Sequence, residues 1–376
     1  MRKSLLIAAM TGLALVGCTE SDLDKSVKSE SAITFAAPIL SNQTKAPVAG
    51  EQVTKYDTDE NFSVYAVYHE GAYVNSTSGN ANVYFSNVDA GYNSTAKCWD
   101  TQSGNGGKDY YWPKKDGAKL TFQAYSPTET EGTIGWTAAN GFTLTDFTVE
   151  ALTANQYDLM FSKRTYDKTS NTGGTSYVDS TDAVDINFQH ALSSIVFKAA
   201  KDAAYDGTTI KLKKITLLNV YSIGDYTQGL NDDESNTFQS GCPKWEGHET
   251  ETSYIAYDNN TGLEITATTA PYHDAINNAV ILLPQAFNHT TTSKTVQVKI
   301  DYSIKTASGS EIEQTNIVDL VSGNGGGYFT DGTDDIEGWE IGKKYTYNII
   351  FSFDKIYFSP EVENWTPVTV DDDVKF

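Results

Sequence analysis

The sequence predicts an all-β protein built of two β-sandwiches. Three observations carry that expectation. Apolar residues recur at every second position in short runs, the period of a strand with one buried face. Aromatic residues make up 12% of the 376 positions, led by 23 Tyr, and 29 Gly are scattered between the runs; aromatic side chains suit a pleated, half-buried surface, and Gly supplies the turns. No stretch holds a 3.6-residue apolar period for three turns with caps at both ends. A chain of this length exceeds one usual core, so two domains are expected.

The chain opens with Arg2-Lys3 and an apolar run from Leu5 to Gly17. That run is too short for a bilayer, which needs about 20 apolar residues, and its basic start and small residues at the end mark a secretory signal. The run ends Leu15-Val16-Gly17-Cys18, which resembles the lipobox of bacterial lipoproteins. Residues 1–17 are therefore expected to be a lipoprotein signal peptide. Cys18 is expected to become an acylated N-terminus, each buried methylene contributing about 0.8 kcal/mol of membrane affinity. Removing residues 1–17 deletes Arg2 and Lys3 and no acid, so the formal charge moves from -22 to -24. Nucleic-acid binding demands Lys and Arg clusters, so that partner class is excluded.

Residues 18–31 are polar and charged (Glu20, Asp22, Asp24, Lys25, Lys28, Glu30) and read as a flexible tether. Ile33, Phe35, Ala37 and Ile39 then fall on one face of a strand. Alternation returns at Phe62, Val64, Ala66 and Tyr68, and at Leu120, Phe122 and Ala124. It returns again at Val184, Ile186 and Phe188, at Leu192, Ile195 and Phe197, and over 215–220, 279–283, 296–302 and 345–353. Gly-rich stretches such as 103–107 and 323–327 are the loops between. The loop of residues 168–183 divides the chain into an N-terminal sandwich, residues 32–180, and a C-terminal one, residues 181–376.

The chemistry-bearing residues do not assemble into an active site. The five His, at positions 69, 190, 248, 273 and 289, show no metal-ligand spacing. Ser94-Thr95-Ala96-Lys97 matches Ser-x-x-Lys but sits among turn residues, without the helix that would orient the Lys. Gly104-Asn105-Gly106-Gly107-Lys108 lacks the glycine spacing of a phosphate loop, and Asp109 stands where Ser or Thr would bind magnesium. The acidic runs 231–234 and 331–337 do not follow the calcium-loop pattern. No catalytic, cofactor-binding or metal-binding residue is assigned. Cys98 and Cys242 both lie in polar, turn-rich stretches, and a disulfide between them suits an oxidising compartment.

The informative pattern lies at the two ends of the mature chain. Val368, Val370, Val374 and Phe376 share one face, interrupted by Asp372, with nearly the length of the Ile33, Phe35, Ala37, Ile39 stripe. A sandwich missing one strand exposes an apolar trough and a row of unpaired backbone groups. The matched stripes suggest exchange of strands between subunits, a form of β-augmentation. The other reading makes both ordinary edge strands of their own domains.

Several segments together resemble the fimbrillin family of Bacteroidales, the type V pilins and fimbrillin-like lipoproteins. They are Ile33-Thr34-Phe35, Thr44-Lys45-Ala46 (similar to Thr-Arg-Ala), Asp158-Leu159-Met160-Phe161 and Phe188-Gln189-His190-Ala191-Leu192-Ser193-Ser194-Ile195. Leu282-Leu283-Pro284-Gln285, Gly342-Lys343-Lys344-Tyr345-Thr346-Tyr347-Asn348 and Trp365 complete the set. The resemblance implies two tandem transthyretin-like Greek-key sandwiches and export as an outer-membrane lipoprotein. It also implies that a trypsin-like protease removes the N-terminal strand of stalk subunits, so that a neighbour's strand takes its place. The matching cut falls between Lys45 and Ala46, where Lys departs from the family's Arg; the other reading of this segment is a plain linker.

The function expected from the sequence is a non-enzymatic subunit of a cell-surface fimbria, a lipid-anchored precursor that polymerises with other fimbrial subunits and meets a host or bacterial surface ligand. The alternative is a surface glycan-binding lipoprotein, with Trp99, Trp112, Trp136 and Trp245 as exposed platforms for sugar rings.

Overall fold

In a computed structural model the described residues are 32–36, 38–40, 56–70, 82–113, 118–162, 164–166, 183–202, 208–230, 242–266, 279–289, 292–305, 309–320, 336–351 and 356–365. They are almost entirely strand, the only helical element among them being a 3₁₀ turn at Thr153–Asn155. The all-β expectation holds, and the sheets curl into sandwich-like arrangements. No helix among the described residues is long and apolar enough to cross a membrane.

The N-terminal lobe is built on the strand Phe62–Glu70, paired antiparallel with Val83–Asn93 on one edge and Ala118–Ser126 on the other. From Val83–Asn93 the sheet continues to Cys98–Asp100 and then Thr34–Phe35. From Ala118–Ser126 it continues to Met160–Ser162, Asn187–His190 and finally Ile39–Leu40. One short stretch of chain therefore supplies both terminal strands, so the sheet curls until its two ends meet. Inside lies an aromatic-rich core that includes Phe35, Phe62, Trp99, Phe122 and Phe188.

The C-terminal lobe faces two sheets across a second core. One has the order Val280–Leu282, Ser193–Lys201, Lys343–Phe351, Ile356–Asn364. The other is centred on Thr209–Gly229, a strand of 21 residues. Along one edge it pairs with Lys244–Glu264. Along the other it pairs first with Gln297–Lys305 and then, end to end, with Gly141–Thr148. Gln297–Lys305 is in turn flanked by Glu311–Asp319, and Gly141–Thr148 by Thr133–Thr137.

Residue 180 is crossed in both directions. The Thr133–Thr137 and Gly141–Thr148 hairpin joins the C-terminal sheet, while Val184, Ile186 and Phe188 belong to the N-terminal core. The reason is visible in Phe62–Glu70, which is buried on both faces. Phe62, Val64 and Ala66 point into the N-terminal core. Tyr65, with Tyr125 and Phe161 on neighbouring strands, points the other way, into the core shared with Phe142 and Leu144. A sheet covered on both faces forms a seam between the lobes.

Candidate assembly site

The N-terminal strand sits in a groove of its own lobe. Its backbone is held on both sides. The Ile33 N–H donates to Tyr110 O at 2.7 Å, and Thr34 and Phe35 stand opposite Asp100 and Trp99 in an antiparallel ladder. On the other side the Val184 N–H donates to Thr34 O at 2.8 Å and the Ala36 N–H donates to Val184 O at 2.9 Å. Four residues on, Ile39–Leu40 pairs in parallel with Asn187–Phe188. The alternation read from the sequence is visible in burial: Ile33 and Phe35 are fully buried, while Thr34 and Ala36 are half-buried.

Phe35 fixes the strand in depth. Its ring meets Phe62 and Phe122 edge to face, at 5.6 and 5.9 Å between centroids, a favoured geometry for aromatic quadrupoles. Phe188 closes the far wall, edge-on to Phe62 at 5.7 Å and stacked on Tyr56 at 5.9 Å. Burying Ile33 and Phe35 contributes on the order of 3–6 kcal/mol before ordering costs. An emptied groove would expose that apolar wall together with the Tyr110 and Val184 carbonyls and the Val184 N–H.

Of the residues singled out from the sequence, Ile33 and Phe35 lie together in this groove, and Ile39 takes part in the sheet through its backbone. Ala37, Cys18, Lys45, Ala46, Val368, Val370, Val374 and Phe376 lie outside the described residues. Sequence reading missed the partners of the strand, Val184 and the edge at Tyr110. Val184 carried the right alternation, but nothing local tells a strand which distant edge it meets.

The expected sugar platforms are corrected. Trp99, Trp112 and Trp245 are 3%, 8% and 9% exposed. The Trp99 indole N–H donates to Glu60 O at 3.3 Å and that of Trp245 to Ala191 O at 2.6 Å. Proximity to turns placed these rings at the ends of strands, where they plug the cores. Trp136 is half-buried, its N–H donating to Gln123 Oε1 at 3.1 Å. Ser94 to Lys97 form a tight turn in which Asn93 Oδ1 accepts from the Thr95 and Ala96 N–H groups. Cys98 and Cys242 are free thiols, each raised above its usual pKa by partial burial.

The seam behind the groove carries a second unusual cluster. His190 Nδ1 lies 2.5 Å from Asp158 Oδ2, both side chains being 1% exposed. The indole of Trp365 lies flat on the imidazole, centroids 3.8 Å apart and planes 1° from parallel. Burial raises the Asp158 carboxyl well above the usual carboxylate range and lowers His190 well below the usual imidazole range. Those directions describe a pair kept net neutral, as a dry site requires.

A solved fimbrial protein from Bacteroides vulgatus has this fold with a TM-score of 0.52 and 20% identity, covering 86% of this chain and 100% of that one. A candidate cell adhesion protein from Bacteroides uniformis is 15% identical over 87% of this chain and 100% of its own, with a TM-score of 0.45. The tip fimbrial protein Mfa3 from Porphyromonas gingivalis, C-terminally truncated, is 11% identical over 89% and 100%, with a TM-score of 0.36. Among curated proteins none matches the chain. The fimbrillin-like profile matches residues 44–365, most of the sequence, and the chain therefore belongs to the fimbrillin-like family of structural and adhesion proteins, which are not enzymes.

Proposed function

We propose that this protein is a fimbrial subunit, exported as a lipoprotein acylated at Cys18 and presented at the outer-membrane surface. It assembles by giving up the strand at residues 32–40 and accepting a neighbour's C-terminal segment, with Val368, Val370, Val374 and Phe376 as the donor stripe. Cleavage between Lys45 and Ala46 would free the resident strand. The observation that carries the reading is that residues 32–40 close a curled sheet at both ends. They are joined to the rest of their lobe through backbone ladders and the buried side chains of Ile33, Phe35 and Pro38. A strand seated that way is replaceable by any segment with the same period and stripe.

The chain supplies its own test. Continuing the Phe35–Trp99 register by one residue places Ala36 opposite Cys98, and directly opposed antiparallel residues have Cα atoms about 4.5–5.5 Å apart, within the span of a disulfide. Ala36→Cys oxidised onto Cys98 is expected to block polymer formation at the cell surface, with assembly restored by reductant or by adding Cys98→Ser. Polymers that form normally from the locked chain would end the exchange reading. Loss of acyl-chain labelling in Cys18→Ser tests the anchor. Deleting residues 366–376 tests the donor.

A further inference from the structure

We infer that Asp158, His190 and Trp365 form a latch tying the end of the last strand to the wall of the N-terminal groove, so that occupancy of the groove governs how firmly the C-terminal segment is held. The inference rests on the strand-exchange reading for its biological meaning, but its physical claim concerns a single unassembled chain.

The argument starts with one four-residue strand, Asn187–His190. Its first two residues pair with Ile39–Leu40, and Phe188 packs into the groove against Phe62 and Tyr56. Its last residue, His190, carries the contacts to Asp158 and Trp365. Groove and latch thus share a rigid element barely more than one side-chain repeat apart. Trp365 is the residue at which the strand Ile356–Asn364 ends, and its N–H donates to Gly342 O at 2.8 Å. Whatever loosens Trp365 loosens the root of residues 366–376.

The latch is poised to fail abruptly. Neither carboxyl oxygen of Asp158 and neither ring nitrogen of His190 has a hydrogen-bond partner among the described residues beyond their own 2.5 Å contact, so the pair depends on exclusion of water. Withdrawal of residues 32–40 would remove one edge of Asn187–His190, its parallel pairing with Ile39–Leu40. A small shift of that strand would admit water, which would solvate Asp158 and His190 in place of their mutual contact. The two side chains would no longer be held against each other, and Trp365 would lose the flat surface it rests on. Packed contacts of this type switch between discrete arrangements instead of deforming smoothly. The result is ordered assembly: a subunit with its own strand in place holds its tail root, and one whose groove has been vacated releases it for donation.

Amide hydrogen exchange on the full chain tests this through a double-mutant cycle. Phe35→Ala weakens seating of the N-terminal strand; Trp365→Leu removes the latch. Phe35→Ala is expected to speed exchange in Ile356–Asn364 roughly tenfold relative to Gln297–Lys305, and to add little in the Trp365→Leu background, as for sites with real coupling. Should Phe35→Ala fail to fold, Phe35→Leu serves with a smaller effect. Acceleration confined to residues 32–40 and 187–190, equal acceleration in both strands, or additive effects of the two substitutions would each overturn the latch. Coupling in a chain whose Ala36–Cys98 lock leaves assembly intact would keep the latch and remove strand exchange; a blocked assembly without coupling would do the reverse.

Discussion

Phe35 and Trp99 face each other across an antiparallel rung, both nearly free of solvent, although 63 residues of chain separate them. This pairing joins the first strand to an edge that the rest of the lobe builds without it.

Phe35→Ala is expected to destabilise the protein by about 3–5 kcal/mol, the usual cost of deleting a buried aromatic ring. Ile312→Ala, at a side chain 51% exposed, should stay within about 0.5 kcal/mol. Chemical denaturation of both variants checks the contrast; equal effects would mean the groove is not packed as described.

The Asp158–His190 pair sets a pH dependence whose sign follows from the two shifts. Asp158 is raised above 3.8, so its contribution weakens as pH climbs past that value; His190 is lowered below 6.5, so its contribution weakens as pH drops below that value. Each shift contributes a slope of up to about 1.4 kcal/mol per pH unit between the group's ordinary pKa and its folded-state one, stability falling with rising pH above 3.8 for Asp158 and falling with dropping pH below 6.5 for His190. Asp158→Asn should remove the first slope and leave the second. Urea midpoints followed from about pH 4 to 9 measure it.

Glu251 behaves in the opposite sense. Desolvation works against its charge, yet bonds from Lys294, Thr292 and His289 prevail and bring it down to about 2. Its contribution is complete above the unfolded value of 4.5 and disappears as pH falls through about 2. Because Lys294 is 55% exposed, solvent screening limits the effect. Glu251→Gln is expected to cost about 1 kcal/mol near neutrality and to shrink the acid-side loss.

Gly141 opens the strand that crosses between the lobes. It has φ of 73°, and a Cβ there would lie 2.0 Å from Gly229 O. Gly141→Ala is expected to lower stability by on the order of 2 kcal/mol and to bare the Tyr65–Phe142 face, read as increased binding of a hydrophobic dye.

The strands legible in the sequence were those whose apolar residues keep an unbroken period of two, such as Phe62–Glu70 and Gln297–Lys305. Glu311–Asp319 escaped because almost every side chain on it is exposed, so no apolar period exists to be read. Lys244–Glu264 escaped for a related reason: its partner Thr209–Gly229 carries the core, while its own face is mostly wet and its register slips at bulges. The seam was not legible in the sequence. Asp158–Phe161, Phe188–Ile195, Leu282–Gln285, Gly342–Asn348 and Trp365 are scattered in the chain and converge there. Trp245 N–H donates to Ala191 O, Gly342 N–H to Leu192 O and the Ser193 hydroxyl to Glu340 O. No local pattern reports a contact between residues so far apart in sequence.

The 21 residues of Thr209–Gly229, at about 3.3 Å each, extend for roughly 70 Å. Pulling on the two ends of such a strand loads it in shear, where many ladder bonds must yield together. The two-residue ladders at Thr34–Phe35 and Ile39–Leu40 share load among few bonds and give way first. In a polymer of the proposed kind the body of each unit would therefore outlast the joint, and mechanical strength would be decided by whichever strand occupies the groove.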